Sequence, residues 1–119
     1  MVWGVESNEM RARELTEAGY RVLEEDATDG EFWRRVRAAA TVDLVLLAMP
    51  QHESNMLALE KLNASGFSGR VVAVVRHEEE EAELRRLEVD TLFNLYDGAG
   101  ILLAKRGIEA IGLPHADDE

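Results

Sequence analysis

The chain has no cysteine. That removes disulfide frameworks, thiolate metal sites and cysteine nucleophiles, and it is compatible with a reducing cytosolic compartment. Basic residues are scarce: 13 Lys and Arg stand against 24 Asp and Glu, a formal net charge of −11. Such a field repels phosphate backbones and anionic lipid, so neither nucleic acid nor a membrane surface is an expected partner. Long apolar runs are missing as well, the longest being about half the ~20 residues of a membrane-spanning helix. The start, MVWGVE, has neither the basic residues nor the apolar core of a signal peptide. No Gly-x-Ser-x-Gly elbow and no His-Glu-x-x-His pair occurs, and no segment of these 119 residues reads as a substrate domain. The expectation is a cytoplasmic chain that is not an enzyme.

What remains is 119 residues, 46% hydrophobic and 31% charged, the size and balance of one domain with a modest core. The chain is organised around Asp43–Asn55, DLVLLAMPQHESN. Leu44 to Ala48 is a continuous apolar run, which suits a strand covered on both faces in a parallel sheet. Ligands of such sheets sit beyond the carboxyl ends of the strands, where Met49 to Asn55 would lie.

The remaining segments read as neighbours of this strand. Val2–Val5 is a short apolar strand ending at Glu6. Ser7 or Asn8 can cap the next helix, which carries Met10, Leu15 and Ala18 as an apolar stripe and ends at Gly19. Tyr20–Leu23 forms a second strand. Thr28 with Glu31 forms a capping box that opens a helix bearing Phe32, Trp33 and Val36. After the third strand, Pro50 suits a first helical turn, and that helix runs through Met56, Leu59 and Leu62 to Gly66. Val71–Val75 is a fourth strand, again patterned for burial on both faces. His77–Leu87 begins acidic and ends basic, as the helix dipole favours. Thr91–Phe93 is a short fifth strand. Asp97–Ile111 is a last helix with Ile101, Leu102, Ala104, Ile108 and Ile111 as its apolar positions, and Gly98-Ala99-Gly100 is a flexible entry to it. Strands alternating with helices predict an α/β fold, three layers around a five-stranded, mainly parallel sheet. One domain spans residues 1–112, and residues 113–119 form a polar tail.

Several of these residues carry a resemblance. Gly4-Val5-Glu6, Asp26-Ala27-Thr28-Asp29 before Phe32-Trp33, and Leu46-Leu47-Ala48-Met49-Pro50 with His52 and Asn55 stand in a familiar order. Phe93-Asn94-Leu95-Tyr96 and Ala99-Gly100 extend it. Over about residues 2–105 the sequence resembles the N-terminal RCK (TrkA-N) domain, closest to the Kef-type potassium/proton antiporter branch. The resemblance implies a Rossmann-like regulatory domain of a potassium transport system. It also implies a bound NAD(H) or AMP, a homodimer, and a membrane transporter or antiporter subunit as partner. It departs from the family at the start: the first strand and its Gly-x-Gly-x-x-Gly turn have no counterpart, so the domain is expected to be N-terminally truncated. Val2–Glu6 then corresponds to the family's second strand, and a hole is left beside Leu44–Ala48. Three resolutions stand open. The chain is a fragment, the gap closes by pairing Val2–Val5 with Leu44–Ala48, or another chain supplies a strand. Gap closure is the expected geometry for the isolated chain.

The candidate site follows from the same correspondence. Glu6, followed by Ser7, would hold the ribose diol, since a carboxylate accepts from two vicinal hydroxyls. Asp26, Ala27 and Thr28 would form the adenine-side loop, against the plainer reading of a helix cap that leaves the Asp26 carboxylate free. Ala48, Met49 and Pro50 would border the ligand, with His52 and Asn55 facing the same crevice; a polar first turn over a filled crevice explains them equally. Arg76 resembles, loosely, a basic residue that helps Kef-type domains bind glutathione; pairing with Glu78–Glu81 is the preferred reading. His77 lacks a spaced second ligand, so no metal site is expected. A phosphorylation-receiver reading fails because its aspartate position falls at Ala48-Met49-Pro50.

Overall fold

The computed structural model of the chain describes residues 2–112, so the expected tail over residues 113–119 lies outside the described residues. Strands and helices alternate throughout: β1 (Gly4–Glu6), α1 (Glu9–Glu17), β2 (Val22–Glu24), α2 (Gly30–Ala39), β3 (Leu44–Leu47), α3 (His52–Ala64), β4 (Arg70–Val75), α4 (Glu78–Arg86), β5 (Thr91–Asn94) and α5 (Leu95–Ala110). All pairings are parallel. Parallel neighbours need a crossover, and here each crossover is a helix.

Helix ends follow local chemistry, with corrections. Asn8 Oδ1 accepts the Arg11 N–H at 3.0 Å and starts α1. Gly19, at φ +99°, closes it in the left-handed region that glycine enters without penalty. The N-cap of α2 is Asp29, which accepts from the Glu31 N–H at 3.0 Å. The Thr28–Glu31 box does not form: Asp29 takes the N-cap position, and the Thr28 hydroxyl donates to Asp26 Oδ1 at 2.6 Å. Pro50 stands before α3, whose N-cap is Gln51. Gly98 and Gly100 lie inside α5, since Asn94 Oδ1 starts that helix earlier by accepting from the Tyr96 and Asp97 N–H groups. Gly98 has a packing reason: a Cβ there would strike the Phe93 ring.

The fold class is as expected, but the sheet is divided. β1 pairs with β2, and β3–β4–β5 form a separate three-stranded sheet. β1 does not pair with β3, so the gap expected to close stays open. Phe32 and Trp33 of α2 pack edge to face at 4.8 Å in the core, and Trp33 Nε1 donates to the Ala27 carbonyl at 2.7 Å. The approach to α2 is thus anchored from the helix side, and β2 with its partner β1 is placed by that anchor instead of by pairing with β3. The right-handed crossovers β3–α3–β4 and β4–α4–β5 progress the same way across one sheet, which puts α3 and α4 in the same layer.

Burial is one-sided. In register, Val45 lies beside Val71, and Leu47 beside Ala73 and Leu92. These residues with Val75 meet Phe32, Trp33, Ala58, Leu59, Leu62 and Leu84 in one core. Leu46, Val72 and Thr91 share the other face, as do Val74 and Phe93. There Leu44 is 52% exposed and Leu46 64%. The expectation that β3 and β4 are buried on both faces is therefore corrected: the apolar run has one covering layer. The apolar positions of α1 and α5 are corrected likewise. Met10 is exposed, as are Ile101, Leu102 and Leu103, and Ala12 is the buried residue of α1.

Candidate functional site

In a parallel sheet every carboxyl end points to the same edge, so the turn after each strand contributes to one rim. Glu6 closes β1 in register with Glu24 of β2. Glu6 Oε1 accepts the Asn8 N–H at 3.2 Å, which holds the carboxylate at the start of α1 through the bend at Ser7. No hydrogen bond to its second oxygen occurs among the described residues.

The turn after β2 is built around Asp26. Its Oδ1 accepts from the Thr28 hydroxyl at 2.6 Å and the Thr28 N–H at 2.8 Å. The side-chain hydrogen bond, then the main-chain one, holds this carboxyl below its ordinary range. Asp26 is therefore not the unengaged group expected from a cap on Thr28. The Ala27 carbonyl is taken by Trp33. Asp26 is the acceptor that orders the loop, and Thr28 its donor.

The turn after β3 separates the expected cluster. Asn55, fully buried, accepts the Met49 N–H at 3.0 Å and donates to the Met49 carbonyl at 3.1 Å. Both ends of its amide are spent on pinning the Ala48-Met49-Pro50 turn onto α3, so Asn55 does not face a crevice. His52 is turned toward α4. Its Nδ1 lies 4.0 Å from Glu80 Oε2 and its Nε2 3.7 Å from Glu83 Oε2, with neither nitrogen hydrogen-bonded among the described residues.

The turn after β4 is held by Glu80, whose Oε1 accepts the Arg76 N–H at 2.7 Å and the His77 N–H at 3.2 Å. The Arg76 main-chain bond is the leading cause of a lowered Glu80 carboxyl, opposed by desolvation and aided by His77 and His52. So Arg76 meets the acidic run through its backbone. Its side chain lines an open cleft of about 730 Å³ with His77, Asn94 and Tyr96. The His77 and Tyr96 rings meet edge to face at 5.8 Å. Asn94, which sequence reasoning passed over as a site residue, bridges α4 and β5 by donating to Glu81 Oε1 at 3.3 Å. Its only signal was a polar residue at a strand end. Neither Glu6 nor the Asp26 loop lines this cleft, so the predicted residues fall into three groups: Glu6, Ser7 and Asp26–Thr28 after β1 and β2, Ala48–Pro50 with His52 and Asn55 after β3, and Arg76 beyond β4. Among the described residues no three His, Asp or Glu side chains gather as a metal site, and no helix is long and apolar enough to cross a membrane.

A layered α/β domain built from parallel strands, with its chemistry on the carboxyl rim, is a Rossmann-like domain. The chain belongs to the TrkA-N domain family, which matches residues 1–95. Among solved structures it is similar to the NAD(P)-binding domain of an exopolyphosphatase-related protein from Archaeoglobus fulgidus. That match has a TM-score of 0.79 at 18% identity and covers 91% of this chain and 80% of the other. It is also similar to the TrkA-N domain of the inner membrane protein ybaL from Escherichia coli, with a TM-score of 0.66 at 15% identity, covering 87% and 76%. No curated protein matches the sequence.

Proposed function

We propose that the chain is a regulatory, non-enzymatic module of a potassium transport or efflux system, of the Kef type, that senses an adenine nucleotide such as NAD(H) or AMP. The observation that carries this reading is Glu6: a carboxylate fixed at a strand's carboxyl end by the Asn8 N–H, in a domain of the TrkA-N family. In this reading Glu6 holds the ribose diol, Ser7 borders it, and the Asp26–Thr28 loop meets the adenine. Ala48, Met49 and Pro50 form the wall opposite. The module works in the cytoplasm as a homodimer, joined through the open sheet face and the exposed apolar residues of α5, and docks on a membrane transporter or antiporter subunit. A nucleotide that favours one dimer arrangement over the other shifts the transporter's gate by that difference in affinity.

A second reading is supported by one observation. None of the strand-to-helix turns carries Gly-x-Gly-x-x-Gly, so no glycine cradle holds a pyrophosphate at a helix start. The same fold would then serve as an interaction module without a nucleotide. A thermal-shift titration separates the two. With NADH, NAD or AMP at a hundred times the dissociation constant, stability rises by about 2.7 kcal/mol, a Tm increase of several degrees. Glu6→Ala removes most of it. No shift with any nucleotide at millimolar concentration selects the interaction module, and a shift that survives Glu6→Ala removes the ribose role.

A further inference from the structure

Among the described residues, the buried side-chain nitrogens without a hydrogen-bond partner are Nδ1 and Nε2 of His52. This side chain, at the first residue of α3, is 10% exposed. A neutral imidazole carries one N–H and one bare nitrogen, so it needs one acceptor and one donor. Its surroundings offer acceptors at both: Glu80 Oε2 lies 4.0 Å from Nδ1, and Glu83 Oε2 3.7 Å from Nε2. Whichever tautomer forms, a bare nitrogen faces a carboxylate. Only the imidazolium, a donor at both nitrogens, matches the two. A metal ion does not fit, since the carboxylates do not converge on one nitrogen.

The other charges around α3 and α4 are engaged elsewhere. Glu80 Oε1 takes the Arg76 and His77 N–H groups, which leaves Oε2 for the ring. Glu78 and Glu79 line the open cleft with the Arg76 side chain, and Glu81 meets Arg85 and Asn94. The His77 ring, which also acts on Glu80, lies against Tyr96. On α3 itself Glu53 and Glu60 are exposed. α2 meets the far end of α3, with Arg37 against Gly66 and Gly30 beside Lys61. β3 and β4 bring only Leu47, Ala73 and Val75 to this side.

We propose that His52, Glu80 and Glu83 form a proton-operated latch between α3 and α4. A proton taken from solvent onto the bare nitrogen makes the ring a double donor that draws both carboxylates in, and its loss releases them. The latch joins two turns of the carboxyl rim. Asn55, one helical turn after His52, holds both main-chain polar groups of Met49, while Glu80 holds the N–H groups of Arg76 and His77. Proton concentration thus sets how firmly the turn after β3 is tied to the turn after β4. The latch stands apart from nucleotide sensing, since it uses none of Glu6, Ser7 or Asp26–Thr28.

NMR on the full chain without nucleotide tests it, between about pH 5.5 and about pH 8.5, a window in which an imidazole changes charge and carboxylates stay ionised. The His52 ring signal should titrate across this window. Exchange protection of the Met49 and Arg76 amides, corrected for intrinsic rates, should be at least about threefold higher at the acid end. That gain should vanish in His52→Gln, shrink in Glu83→Gln and persist in His77→Gln. Glu83 is partly exposed and holds no main-chain group, so its variant serves if His52→Gln fails to fold. A His52 ring that stays neutral throughout overturns the proposal, as does titration without a gain in protection. A gain that survives both His52→Gln and Glu83→Gln, or is lost in His77→Gln, overturns it as well. The nucleotide thermal shifts are a separate readout that none of these outcomes alters.

Discussion

Asn55 sits among polar residues in HESN and looks, in the sequence, like a group facing a ligand. In the fold it satisfies both polar groups of Met49 while fully buried. Replacing it with Ala strands a buried N–H and a buried C=O, each costing about 1–3 kcal/mol. Asn55→Ala should therefore lower stability by about 2–6 kcal/mol, seen as a fall in the urea midpoint at unchanged m-value. A loss under about 0.5 kcal/mol would show the turn to be held by something else. Asp26 made the opposite transition. Its neighbour Thr28 promised a cap, but Asp29 caps the helix, and the Thr28 hydroxyl donates to the Asp26 carboxylate in a charge-assisted bond.

At the level of elements, α4 illustrates how charge order and tertiary contact combine. Its acidic first turn and basic last turn, Arg85 and Arg86, agree with the helix dipole, and this was legible from sequence. Less legible was that Glu80, alone of its run, closes the β4–α4 turn. Its carboxyl and that of Asp26 are both lowered in the folded state. The stability they contribute is complete above the carboxyl's unfolded pKa and is lost progressively as pH falls below about 4 and through the lowered folded value. Glu80→Gln should cost roughly 1 kcal/mol at pH 7, where charge-assisted bonds are replaced by neutral ones, and progressively less as the pH falls and the carboxylate protonates. A cost independent of pH would contradict that account.

The whole molecule is more extended than its length requires. Its radius of gyration is 17.0 Å, against about 13–14 Å for a compact chain of this size. The divided sheet and a sixteen-residue α5 without a buried residue account for the excess. If the homodimer forms as proposed, sedimentation at tens of micromolar should give about twice the 13.3 kDa chain mass. The double variant Leu102→Lys, Leu103→Lys should weaken that association at least about tenfold, because each lysine sets a charge against an apolar surface. Both residues are exposed in the single chain, so its own stability should barely change. Identical mass distributions for the two chains would rule α5 out of the interface.

The sequence by itself determined the succession of elements, the parallel sense of the strands, and a first helix start at Ser7 or Asn8. Each of these rests on interactions between residues close in the chain, or on a pattern of period two or 3.6. It also carried the family, through residues spread along the strand ends. Only the tertiary structure decided which face of Leu44–Leu47 is covered, whether β1 reaches β3, and whether Asn55 and His52 look outward. A run of apolar residues records that a strand needs cover, and nothing in the run says how many layers will supply it. Those outcomes depend on which distant elements pack on a shared surface, and here Phe32, Trp33 and α3 cover one face of the sheet and leave the other open.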